Sequence, residues 1–201
     1  MPLQALALNC TLKSSPAETS TGVLLSQLCE ALEANDVTTT TVRVADHDLK
    51  PGVTSDEGAG DEWPAIRRQI LAAQILVIGT PIWLGHPSSI CQRVLERLDA
   101  FIGEEDDQGR IVSTDRVAIL ATVGNEDGAH HVAAEVYQAL VDVGFTIPAN
   151  GQVYWVGEAM GSVDYKDLDK PPEKVAQTIE DVARHGAHLA RVLAASPYPP
   201  A

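Results

Sequence analysis

Residues 9–21, reading Asn9-Cys10-Thr11-Leu12-Lys13-Ser14-Ser15-Pro16-Ala17-Glu18-Thr19-Ser20-Thr21, place six hydroxyl side chains and one lysine just ahead of a helical pattern. The N–H groups at a helix start, with the positive end of its dipole, favour a bound phosphate. Thr11, Ser20 and Thr21 can donate hydroxyl hydrogen bonds there, and Lys13 can supply charge. A helix cap needs only one or two hydroxyls, so a run of six favours phosphate binding over capping alone. The stretch is neither a Walker A loop nor GxGxxG, so the two commonest nucleotide cradles do not apply.

Two further loops could meet it. Thr80-Pro81-Ile82-Trp83-Leu84-Gly85-His86-Pro87-Ser88 combines two prolines and a glycine, which define a turn, with a tryptophan plane that could wall a flat aromatic ligand. Taken alone, it reads better as a strand-to-helix connection around a buried tryptophan. Thr122-Val123-Gly124-Asn125-Glu126-Asp127-Gly128-Ala129-His130 has two glycines permitting close backbone approach and an asparagine that both donates and accepts. Taken alone, that is a plain turn.

Other constellations carry less. His130 and His131 are neighbours, and adjacent helix positions diverge by about 100°, so they do not share an ion; His131 reads as a surface or subunit contact, with His130 near any bound cofactor. His185 and His188 lack a carboxylate companion and read as a solvated face, so no metal site is expected. No GxSxG elbow supports hydrolase chemistry. Cys10, Cys29 and Cys91 are far apart and odd in number, which argues against a disulfide framework or a zinc site.

The elements that must position these loops follow from hydrophobic patterning. Leu3–Leu8, Ile75–Gly79, Val117–Thr122 and Gly151–Val156 read as strands, the first a near-continuous apolar run suited to burial on both sheet faces. Thr38–Val44 is β-branched and threonine-rich, which predicts a strand nearer an edge. Between them lie amphipathic helices: one carrying Leu24, Leu25, Leu28 and Leu32, a short one over Trp63–Ala73, one with Ile90, Val94, Leu98 and Ile102 on a stripe, one with Val132, Val136 and Leu140, and a last one from Val175 to Val192. The spacing predicts a strand break at Thr80-Pro81. Residues 45–61 and 157–172 read as loops. Five strands interleaved with helices predict an α/β, three-layer, doubly wound parallel sheet in one domain over residues 1–195, with 196–201 as a disordered tail. Right-handed crossovers allow the order 2-1-3-4-5, although periodicity alone does not select it over other five-stranded α/β folds. In such a sheet, ligands bind beyond the carboxyl ends of the strands, where all three loops emerge.

Together the loops resemble those of the NAD(P)H-dependent FMN reductase branch of the flavodoxin-like superfamily, over roughly residues 3–193. Thr11, Lys13, Ser20 and Thr21 match the family's phosphate loop; Pro81, Ile82, Trp83, Leu84 and Gly85 match the P-x-Y/W turn beside the isoalloxazine. Thr122, Val123, Gly124, Asn125 and Gly128 match the glycine-containing third loop, and the helix ending Arg97-Leu98-Asp99 matches the helix between. The resemblance implies the flavodoxin-like order 2-1-3-4-5 and non-covalent FMN. It also implies NAD(P)H as substrate, a flavin, quinone or other small acceptor, no catalytic side chain, and a homo-oligomer. Departures are a longer phosphate loop, Lys13 where arginine is usual, which loses bidentate phosphate contact, and Trp83 where tyrosine is commoner. Glu126 and Asp127 bring negative charge near the expected flavin edge. If they face the ring, they disfavour the anionic reduced flavin.

Composition narrows the partners. With 28 acidic against 14 basic residues, the net charge is -14, and such a field repels nucleic-acid backbones and anionic membranes. The acidity reads as a solubilising shell, with docking of a basic redox partner as the alternative. No apolar run approaches the roughly 18 residues of a membrane span, and no basic residue precedes Lys13, so a cytoplasmic location is expected. A flavodoxin-type carrier without nicotinamide turnover is the competing function. A phosphoacceptor receiver domain shares the fold order but needs acids where Asn9-Cys10 and Thr80 stand.

Overall fold

The computed structural model describes residues 2–201. The elements run β1 (Leu3–Asn9), α1 (Ser20–Glu33), β2 (Val37–Arg43), α2 (Trp63–Ala72), β3 (Ile75–Trp83), β4 (His86–Pro87), α3 (Ser89–Leu98), β5 (Val117–Gly124), α4 (Ala129–Asp142), β6 (Gln152–Val156) and α5 (Glu173–Ala195). Five strands form a parallel sheet in the order β2-β1-β3-β5-β6, which is the flavodoxin-like 2-1-3-4-5 arrangement once the two-residue β4 is set aside.

The near-continuous apolar strands are explained by the two layers they serve. Leu6 and Leu8 of β1, Leu76 and Ile78 of β3, and Ala118 and Leu120 of β5 face a core shared with α2, α3 and α4. The alternate residues Ala5, Ala7, Ile75, Val77, Val117 and Ile119 face the core under α1 and α5. Period-two alternation therefore survives in direction while polarity is uniform. β2 lies at the edge, as its threonines predict.

Three boundaries differ from expectation. β3 does not break at Thr80-Pro81 but runs on to Trp83, paired with β5 through Pro81 and Val123. Its pairing with β1 has already ended at Asn9 and Gly79; the missing N–H of Pro81 thus falls where β1 no longer asks for a donor. Past Trp83 the chain folds back as the short hairpin strand β4, antiparallel to β3. Ile102 does not extend the α3 stripe, because the helix ends at Leu98 and Ile102 is exposed in a following 3-10 turn.

Residues 47–62 are held against α3 by a fully buried ion pair between Arg97 and Asp61 at 2.7 Å. The remaining guanidinium donors reach the Thr54 and Lys50 carbonyls, and the group lies over the Trp63 ring. The 196–201 segment lies across the 106–115 connector: Tyr198 N–H donates to Asp115, and Arg110 donates to the Tyr198 carbonyl. No described helix is long and apolar enough to cross a membrane.

Candidate functional site

A cleft of about 580 Å³ opens beyond the carboxyl ends of β1, β3, β5 and β6, within the range of small-ligand sites. Its first end is the start of α1. Thr19 is the N-cap, its Oγ1 accepting from Gly22 N–H at 3.1 Å. The N–H groups of Ser20 and Thr21 have no protein partner among the described residues. Ser20 Oγ accepts from Lys166 N–H at 3.3 Å, leaving its own proton free to donate. Thr11, Lys13, Thr19, Ser20, Thr21 and Lys166 all line this end. The loop is tied from behind: the Asp46 carboxylate accepts from both N–H and Oγ of Ser15, which holds that carboxyl below its usual range, and Arg43 donates to the Ala17 carbonyl. A phosphate held here would be recognised by N–H and O–H groups of a preset turn rather than by an arginine fork.

The other end is apolar and aromatic. Pro81, Ile82, Trp83 and Leu84 form one wall, Val123, Gly124 and Asn125 another, and Trp155 and Met160 close it. Trp83 is 55% exposed, so the reading of a buried structural tryptophan does not hold. Asn125 and Glu126, which line this end, each bury one acceptor without a partner, Oδ1 and Oε1. Orphaned buried acceptors are costly, and a planar ligand bearing N–H groups would satisfy them once the two side chains turn towards it. A Cβ on Gly124 would stand 2.9 Å from Ile82 Cβ, and one on Gly157 would stand 2.6 Å from Asn125 Oδ1. Both glycines keep the slot narrow.

Three residues expected at the ligand lie elsewhere. Thr122 is fully buried and accepts from Gln152 beneath the cleft floor. Gly85 and Gly128 lie outside the cleft and against each other; a Cβ on Gly128 would sit 2.7 Å from Gly85 Cα. They dock the β3–β4 hairpin onto the start of α4, and Gly128 needs its φ of +124° to do so. Gly128→Ala is expected to destabilise the chain by about 2 kcal/mol through strain and crowding, measured as a lower urea midpoint. Of the acidic pair, only Glu126 lines the cleft; the Asp127 carboxylate turns to Gly128 N–H on the outside. His130 packs edge-on against Tyr154 in that same outer depression, away from the cleft.

The fourth wall came from residues that no local motif marks. Asp164 accepts from Asn125 Nδ2 at 3.0 Å, and Lys166 pairs with Asp167. Trp155 packs on Tyr165, whose phenol burial pushes up to about 12 despite the accepting Gln27, so it stays a donor. Cys10, at the end of β1, is no thiolate nucleophile, since the adjacent Cys91 thiol and complete burial both push its thiol up. Ser88 joins the first two loops, donating to the Cys10 carbonyl at 2.6 Å while capping α3 through Cys91 N–H.

Residues 5–160 match a family model described as NADPH-dependent FMN reductase. The chain is 35% identical over 210 residues to the 8-demethyl-8-aminoriboflavin-5'-phosphate synthase of Streptomyces davaonensis, covering 98% of this chain and 81% of that protein. It is 39% identical over 169 residues to a divalent metal cation transporter MntH of Mycobacterium bovis, covering 82% of this chain but only 25% of that protein. Among solved structures, that of RosB with bound 8-demethyl-8-formylriboflavin-5'-phosphate superposes with a TM-score of 0.89 at 34% identity, covering 98% of this chain and 82% of that one.

Proposed function

Because this chain belongs to the NADPH-dependent FMN reductase family, we propose that its cleft holds FMN non-covalently and that the protein is an oxidoreductase using NAD(P)H to reduce a small acceptor such as a flavin or quinone. One observation carries the reading: unpartnered N–H and O–H donors at the start of α1 share a cleft with an aromatic slot bordered by two residues that bury an orphaned acceptor. The residues fit the group. Ser20, Thr21, Thr11 and Lys13 would hold the phosphate, Pro81, Ile82, Trp83 and Leu84 would flank the ring system, and Gly124, Asn125 and Glu126 would meet its polar edge. When bound, FMN would supply the redox chemistry between a reduced nicotinamide and the acceptor. The chain itself binds, orients and excludes water, and no side chain needs to act as acid or base. The exposed rim of Leu12, Leu84 and Met160 suits a subunit contact beside the cleft.

A second reading is favoured by the 35% identity to the aminoriboflavin-phosphate synthase across nearly the whole chain: riboflavin 5'-phosphate is then the substrate, altered on its ring, rather than the carrier. Anaerobic addition of NADPH to the FMN complex tests the first reading, with bleaching of the visible band expected. Flavin extracted after repeated turnover is expected to keep its mass; a changed mass selects the second reading. Binding without bleaching by either nicotinamide points to an electron carrier, and failure to bind FMN ends the proposal. Joint replacement of Ser20 and Thr21 by alanine is expected to weaken FMN at least about tenfold, because hydrogen bonds to charged groups are worth about 1.5–3 kcal/mol. Riboflavin, lacking the phosphate, should lose little; equal losses would remove both hydroxyls from the phosphate site.

A further inference from the structure

His86, His131 and Glu135 meet outside the cleft, where one ligand atom from each lies within 4.8 Å of the other two. Glu135 Oε1 stands 2.7 Å from His86 Nδ1 and 3.2 Å from His131 Nδ1. The two imidazole rings meet edge to face with centroids 4.9 Å apart. His131 and Glu135 are four residues apart on α4 and so share a helix face. His86 comes from β4, which is fixed by its pairing with Trp83 and by the contact of Gly85 with Gly128. Two separate elements thus converge on one carboxylate oxygen.

We infer that His86, His131 and Glu135 form a binding site for a borderline divalent cation such as Zn²⁺, distinct from the cleft. Two imidazoles and a carboxylate are a donor set that suits zinc, and three protein ligands with remaining positions open to water are a common arrangement. Ligand atoms around tetrahedral zinc stand about 3.3 Å apart, given zinc–nitrogen bonds of about 2.0 Å. The 3.2 Å separation already has that spacing. The shorter one opens to it by a small rotation of exposed side chains, both imidazoles being more than half exposed. His131 Nδ1 also lies 3.0 Å from the Gly85 carbonyl, a contact that the cation would replace. Because His86 pairs in register with Trp83, a cation here ties the cleft wall to α4. The site stands whether or not flavin is what the cleft binds.

Titration of tag-free protein with ZnCl₂, in competition with a chromophoric zinc chelator, tests the site. One saturable equivalent is expected. His86→Ala, His131→Ala and Glu135→Gln should each weaken it at least about tenfold, since even an outer-shell partner is worth about 10–100-fold. His185→Ala should leave it unchanged. Since all three side chains are at or near the surface, the variants should melt with the parent in zinc-free buffer, and Co²⁺ should give a visible absorption band with the parent only. Absence of saturable uptake, or uptake that survives His131→Ala, overturns the inference.

Discussion

An Arg97→Met variant is expected to unfold about 3 kcal/mol more easily than the parent chain, seen as a lower urea midpoint at unchanged slope. Both partners of the Arg97–Asp61 pair are fully buried, so removing the guanidinium strands a carboxylate in the interior. The three carbonyl contacts from Arg97 to Lys50 and Thr54 go with it, leaving the Arg93 bond to the Leu49 carbonyl to tie residues 47–62 to α3. The pH dependence gives a second readout. Burial alone would raise the Asp61 carboxyl, but Arg97 and the N–H groups of Glu57, Trp63 and Lys50 outweigh it and bring it down to about 2. A carboxyl whose folded value lies below its unfolded value of about 3.9 stabilises above that value, and its contribution is lost as pH falls through the folded one. The gap between parent and variant should therefore be full above about pH 4 and narrow as pH falls towards 2. A variant equal to the parent at pH 7 would show that the pair contributes nothing.

That pair also marks where sequence reading stops. Strands are legible because a residue buried on either face of a parallel sheet must be apolar, and no long-range knowledge is needed to see Leu3–Leu8 or Ile75–Gly79. Loops at the strand ends are legible because hydroxyls, prolines and glycines signal locally. Arg97, by contrast, looks like any surface arginine on a helix, and its partner lies 36 residues away in a loop. The fourth wall of the cleft fails for the same reason. Asp164 and Lys166 reach it only because a 3-10 turn over Tyr165–Asp167 packs on α1. His86 and Glu135 are 49 residues apart, so the sequence rules out His130 as a partner of His131 without pointing to His86, which the fold supplies.

Exchanging Glu126 for glutamine is expected to raise the midpoint potential of FMN bound in the cleft by roughly 30 mV, rated against the parent in a spectroscopic redox titration. The Glu126 carboxylate lines the cleft with one buried, unpartnered oxygen. A fixed negative charge beside the ring opposes the gain of negative charge on reduction. In a partly open cleft, one such charge is worth about 1.4 kcal/mol, which is roughly 30 mV for a two-electron couple. Glutamine keeps the shape and the acceptor but not the charge. Asp127→Asn should leave the potential unchanged, because that carboxylate faces outward to Gly128. An unmoved potential in the Glu126 variant would place the ring away from this residue. Equal shifts in both variants would mean that the potential follows overall charge rather than position.

The hydroxyl of Ser88 has a consequence for how substitutions combine. It bridges the Cys10 carbonyl at the root of the first loop and the first turn of α3 behind the second, while Ser88 N–H is held by Thr80 on β3. The two ends of the cleft are therefore not independent modules joined by a ligand. They share one strut that is already in place without a ligand. Substitutions at Thr11 and Trp83, which do not touch, should show a coupling energy in a double-mutant cycle that vanishes when Ser88 is replaced by alanine. Selection acting on either loop would then have to carry the other along.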